Sequence, residues 1–251
     1  MFRAEIGSDH AAQRDVPSVS AARVFSVDQL EFSLVRWQWP FSEQRRDEIT
    51  AYFKALRTGK PALWNGRVLL VNKFSVIGRT LHGSFFETGF ADLVAWRDWG
   101  YPDHDVINGF AMGAIRSADG AYILGVMGEA TANAGHIYFP SGTPDFSDVA
   151  GDTVDLAGSV VREVAEETGL GPEDFATPTA WTAVHTGQSL ALMRHLQARD
   201  SADALRARII GNLTRQKNPE LTDIRIVRTR ADYDPQMPPF MIAFLDRALA
   251  G

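Results

Sequence analysis

No cysteine occurs anywhere in the 251 residues. The chain therefore has no disulfide, no thiolate nucleophile and no cysteine-based zinc site, and it fits a reducing compartment. Long hydrophobic runs are missing too: none approaches the ~20 residues that a membrane helix needs. Residues 1–22 mix charged and small polar side chains without the apolar core of a secretory signal, which predicts a short disordered leader on a cytoplasmic protein. Positive charge is in deficit, with 25 Lys and Arg against 31 Asp and Glu, a net charge of −6. That balance argues against nucleic acid or an anionic membrane as partner, since both call for a basic surface. A small phosphorylated substrate stays open, because a cation can neutralise phosphate locally.

What is present is ordinary for a globular protein: 45% hydrophobic and 22% charged residues, in a length that suits one large domain or two small ones. Residues Gln29 to Trp37 alternate as a strand does, with Leu30, Phe32 and Leu34 on one face. Ser42 is placed to cap a helix in which Ile49, Tyr52, Phe53 and Leu56 share a face and Gly59 marks the end. Asn65-Gly66 signals a hairpin between strands Ala62–Trp64 and Arg67–Val71. A short aromatic helix over Phe90–Trp99 is broken by Gly100-Tyr101-Pro102-Asp103, which sets a soft boundary near residue 105. This makes residues 23–105 a β-rich N-terminal subdomain.

From Val106 the pattern is α/β. Val106–Arg116 and Ala121–Val126 flank the turn signal Asp119-Gly120, and a strand at Tyr138 follows. Further strands are expected at Trp181–His185, Ser189–Gln197 and Ile224–Thr229, with helices at Asp203–Gln216 and Pro239–Ala250. The glycines Gly109, Gly113, Gly125 and Gly128 match no nucleotide-binding fingerprint and read as close strand crossings.

The most informative segment is Arg162-Glu163-Val164-Ala165-Glu166-Glu167-Thr168-Gly169-Leu170. Its three carboxylates fall at i, i+3 and i+4 and so share one face of a helix. Like charges in that arrangement repel on an isolated helix. A hard divalent cation between them, such as Mg²⁺, would relieve the repulsion and still bind a phosphate substrate. The alternative is a solvated acidic face. Leu156, Ala157, Val160, Val161 and Val164 form an apolar sector turned away from the acids, Asp155 is positioned as N-cap, and Gly169 as left-handed C-cap. Ahead of the helix, Ile137–Phe139 reads as a strand and Pro140-Ser141-Gly142 as a loop.

This segment resembles the Nudix box, the signature of Nudix hydrolases: Gly, five residues, Glu, seven residues, then Arg-Glu-aliphatic-x-Glu-Glu-x-Gly-aliphatic. All specified positions from Arg162 to Leu170 match, a coincidence expected by chance at about 10⁻⁵ in a chain of this length. The first half departs from the pattern. The box Glu falls on Val154 and the box Gly on Asp148. If Gly142 is the box glycine, the loop carries six extra residues, within a stretch that offers Asp145, Asp148 and Asp152 as stand-ins for the missing Glu.

The resemblance implies an α/β/α sandwich with a mixed sheet over residues 106–251. It also implies an Mg²⁺-dependent hydrolase (Mn²⁺ as substitute) that cleaves the pyrophosphate of a nucleoside diphosphate linked to another moiety, often as a homodimer. By position Glu163, Glu166 and Glu167 are the metal ligands and Arg162 orients them. The general base is left open among Glu163, Glu167 and a distant loop glutamate, for which Glu220 is the candidate. A non-catalytic nucleotide or sugar-phosphate sensor is the alternative, motivated by the stretched box. The sequence names no substrate-binding residue: Ala183–Leu190 carry none of the subfamily markers, Trp181 and Phe139 suit a core as well as a base stack, and the six histidines show no paired metal spacing.

Overall fold

The computed structural model describes residues 22–61 and 63–250, so the leader over residues 1–21 and the start of the expected Ala62–Trp64 strand lie outside the described residues. The N-terminal half contributes β1 (Arg23–Val27), β2 (Gln29–Leu34), α1 (Pro40–Gln44), α2 (Arg46–Gly59), β3 (Arg67–Ile77), β4 (Thr80–Gly89) and α3 (Phe90–Asp98). Then follow β5 (Asn108–Arg116), β6 (Tyr122–Met127), β7 (Ile137–Tyr138), β8 (Val149–Ala150), β9 (Thr153–Val154) and the acidic helix α4 (Leu156–Thr168). The chain closes with β10 (Phe175–Ala176), β11 (Trp181–Thr186), β12 (Ser189–Ala198), α5 (Ala202–Leu213), β13 (Leu221–Val227) and α6 (Pro239–Ala248).

Two sheets organise these elements. The larger runs β1-β11-β12-β5-β6-β13, with β12 and β5 parallel and its other neighbours antiparallel; β10 and β7 attach to β12 and β6. Helix α4 covers one face so closely that a Cβ on Gly113 of β5 would strike Val164. Alternate residues of β5 point the other way, where Phe110 meets Phe240 of α6 at 5.3 Å between ring centroids. With α5 packed against α4 and β13, this is the expected α/β/α sandwich with a mixed sheet.

The smaller sheet, β3-β4-β2-β9-β8, draws strands from both halves of the sequence. β1 pairs with β11 in the larger sheet, while β9 from the box loop meets β2 in the smaller one at Ser33↔Thr153. One hydrophobic core joins Val27, Leu69 and Phe85 to Met112, Val160 and Leu192.

Three expectations are corrected. Asn65-Gly66 makes no hairpin: β3 pairs with β4 through the turn at Gly78-Arg79, where Gly78 takes φ 62°. Gly66 instead accepts a hydrogen bond from the Phe90 amide, and Trp64 packs on the Phe90 ring. The helix expected from Ser42 to Gly59 is broken at Arg45, where Pro40 opens a separate short turn. The first strand stops at Leu34 because Val35 onward folds into an aromatic cluster around Trp39, Phe86 and Trp96.

Candidate active site

The site forms where β5 and β6 part. They pair only at Arg116↔Tyr122, beside the turn at Asp119-Gly120. Further along, β7 fills the split, pairing with β6 at Gly125 and Val126, while the Pro140 carbonyl accepts from the Gly113 amide at 3.0 Å. This carries Pro140-Ser141-Gly142 directly over α4. The helix is capped as its ends suggest: Asp155 Oδ1 accepts from the Gly158 amide at 2.9 Å, and Gly169 closes it at φ 73°.

Glu163 and Glu167 lie one turn apart beneath that loop. Glu167 is 3% exposed; its Oε1 accepts the Ser141 amide at 3.1 Å, and its buried Oε2 has no partner. Burial and the neighbouring Glu163 carboxylate hold its pKa well above the usual range, against the pull of the Ser141 hydrogen bond. Glu163, raised chiefly by burial, is pushed up to about 7, although Arg162 opposes the shift. Arg162 Nη1 donates to Glu163 Oε1 at 2.6 Å. The Gly142 backbone lies against the Glu163 carboxylate so closely that any Cβ there would overlap it. Glu166 faces solvent, and its backbone carbonyl accepts from Gln216 Nε2 at 2.8 Å.

Glu220, immediately before β13, bears on the same cluster: its charge raises the pKa of Glu163, Glu167 and Tyr138. β13 pairs with β6, and the Glu220 carbonyl accepts from the Gly128 amide at 2.7 Å, which brings this residue back across the sequence. The four glutamates singled out in the sequence, Glu163, Glu166, Glu167 and Glu220, thus fall in one neighbourhood. Among the described residues no three of them already stand in ligating geometry. Like charges explain this: Glu163 turns to Arg162, Glu167 to Ser141, and Glu166 to water. The donor set still fits a divalent cation, because a buried, partnerless carboxylate oxygen is costly and a hard cation satisfies it.

The six extra residues of the box have a fold of their own. After a turn capped by Asp145, whose Oδ1 accepts the Ser147 amide at 2.7 Å, β8 and β9 form a small hairpin. It is stapled to the smaller sheet by Leu34 N–H to the Asp152 carbonyl at 2.9 Å and by Leu69 N–H to the Pro144 carbonyl at 2.7 Å. Val154, at the box Glu position, is 4% exposed and belongs to the core. Of the three stand-in aspartates only Asp148 reaches the box: buried, it accepts Arg162 Nη2 at 2.6 Å. Its identity was not singled out by spacing alone.

Beside the carboxylates opens a cleft of about 640 Å³, to which Ser141 and Gly142 contribute. Its far wall comes from α3 and the Gly100–His104 turn, which carried no motif in the sequence. Phe139 and Trp181, the two candidate stacking residues, are core.

No protein-family model and no curated protein matches the chain. Among solved structures it is similar to a Nudix hydrolase from M. Smegmatis, RenU, at 17% identity and a TM-score of 0.35, over 55% of this chain and 80% of that one. It is similar also to a MutT protein from Methanosarcina mazei Go1, at 18% identity and a TM-score of 0.36, over 57% and 92% of the two chains.

Proposed function

We propose that the chain is a Nudix-type pyrophosphohydrolase, dependent on Mg²⁺ with Mn²⁺ as substitute, that cleaves the diphosphate of a nucleoside diphosphate linked to another moiety. The observation that carries this reading is the partnerless, buried Glu167 Oε2 on the same helix face as Glu163 and Glu166, under a glycine loop. A divalent cation bound there would neutralise charge along the diphosphate and acidify water for attack on phosphorus.

The chain's own residues supply the rest. Glu163, Glu166 and Glu167 would hold the cation, since the helix already sets them on one face. Arg162 fixes Glu163, and Asp148 fixes Arg162. The Ser141 amide holds Glu167 in place. Glu220, outside the helical set yet within its field, takes the proton of the attacking water. The substrate is a small molecule, in keeping with a net charge of −6.

The sensor reading drew its force from the stretched box. The extra residues fold away as a hairpin on the smaller sheet and leave Glu163, Glu166 and Glu167 together on α4, which supports the enzyme. The test is a panel of nucleoside diphosphate derivatives incubated with Mg²⁺ or Mn²⁺, with the released monophosphate read after phosphatase treatment. Turnover that collapses in Glu167→Gln is the expected result. Thermal stabilisation by these compounds without product would establish the sensor instead.

A further inference from the structure

The cleft beside the carboxylates has a composition that the diphosphate chemistry does not require. Phosphate would ask for a basic lining, yet much of the cleft is apolar: Phe90, Leu93 and Val94 of α3, Phe110 of β5 and Phe240 of α6. No carboxylate lines it among the described residues, and its arginine, Arg97, is already engaged, donating to Asn133 Oδ1 at 3.1 Å and to Asp98. A neutral, flat, apolar group suits this space, and about 640 Å³ lies in the range of small-molecule sites.

One polar side chain breaks the apolar wall. Asn108, at the start of β5, shares its face with Phe110 and Met112, and all three line the cleft. Its Oδ1 is buried without a partner. A carboxamide offers one acceptor and a neighbouring donor in a plane, which matches the amine and adjacent ring nitrogen of adenine. An unsatisfied acceptor in a dry wall costs stability in the free protein, and a ligand N–H directed to it recovers that cost. A second signature lies opposite. Tyr101 is the non-glycine residue with positive φ, 60°, among the described residues, and it too lines the cleft. Such backbone strain persists where the surroundings impose it, often at ligand sites. Here Tyr101 is held by the hydrogen bond that its amide N–H donates to the Trp96 carbonyl at 2.8 Å and by edge-on packing against the Trp96 ring.

We infer that the cleft between α3 and the larger sheet is a subsite for a purine carrying an exocyclic amine, and that Asn108 determines its specificity. The N-terminal segment thereby forms one wall of the substrate site. This inference rests on the proposed hydrolysis only for the identity of the attached diphosphate.

Binding of AMP and IMP, which differ at the exocyclic position, tests it by calorimetry without metal. Wild type is expected to bind AMP roughly tenfold or more tightly than IMP. Asn108→Ala is expected to bring the two together, and Leu93→Trp, which fills the cleft from α3, to weaken both. Equal binding of AMP and IMP by wild type, binding of neither, or a preference that survives in Asn108→Ala would overturn the subsite. Mg²⁺-dependent turnover measured in the same variants separates the two readings. Turnover without base preference removes the subsite alone, and base preference without turnover removes the hydrolase alone.

Discussion

Arg162 Nη2 lies 2.6 Å from Oδ1 of Asp148, a buried carboxylate 14 residues upstream in the inserted part of the box. The same guanidinium holds Glu163 with its other nitrogen, so Asp148 acts on the site through Arg162. Asp148 also accepts the Asp145 amide at 3.0 Å, which anchors the turn that opens the hairpin. Removing it leaves Arg162 unpaired on one side and the loop unanchored. Asp148→Ala is expected to cost about 2 kcal/mol, read as a lower urea midpoint with an unchanged slope. It should also lower turnover by freeing Glu163. A variant with wild-type stability and activity would show that the pair is incidental.

Gly142 is needed for close approach rather than for an unusual backbone angle. A methyl group there would displace the Glu163 carboxylate. Because the loop lies at the surface of the site, Gly142→Ala should change stability little while lowering kcat roughly tenfold or more through misplacement of Glu163. Equal kcat in the two proteins would contradict the assigned role of the loop.

Val154→Glu restores the residue that the box pattern places at this position, yet it should harm the protein. The side chain is in the core, paired across the hairpin with Val149. Burying a carboxylate there without a partner is expected to cost ~3 kcal/mol or more. Circular dichroism melts of the two proteins check this. A stable, more active variant would mean that the hairpin can open to present residue 154 to the site.

The metal-free protein should lose stability as the pH rises from about 5 to 7. Burial pushes Glu163 up to about 7 and Glu167 well above its ordinary value, while in the unfolded chain both return to about 4.5. Between these values the folded state holds protons that the unfolded state has released. The stability these groups lend is therefore complete below about pH 4.5 and is lost as the pH climbs through the folded value. For Glu163 alone the loss is on the order of 2 kcal/mol. Melting in EDTA at pH 5 and pH 7 measures it, and the pair Glu163→Gln and Glu167→Gln together should flatten the difference. A midpoint that rises over this range would contradict the burial of the two acids.

Much of this was legible in the residues because the signals were local. The Arg162–Leu170 segment, its Asp155 cap and its Gly169 stop each depend on neighbours within a turn or two, and they fall where expected. Six strands of the larger sheet, β5, β6, β7, β11, β12 and β13, were readable for the same reason, since they alternate or run apolar between turn residues, whereas β1 and β10 were not. The Asn65-Gly66 turn misled because a dipeptide signal carries no information about Phe90, whose ring and amide occupy that corner. Long-range pairing was equally hidden. Nothing in Thr153 announces Ser33 as its partner, nor does Arg23–Val27 announce β11. The cleft escaped for the same cause: Asn108, Arg97 and Tyr101 come to line one cavity only in the folded chain.

The central claim is that Glu163, Glu166 and Glu167 together hold a divalent cation. Calorimetric titration of Mn²⁺ into wild type and into the variant carrying Glu163→Gln, Glu166→Gln and Glu167→Gln tests it most directly, at pH 8 where protons compete least. Saturable binding by wild type, absent from the variant and weaker at pH 6 than at pH 8, is the predicted result. Undiminished Mn²⁺ binding by the variant would place the cation elsewhere and contradict the account.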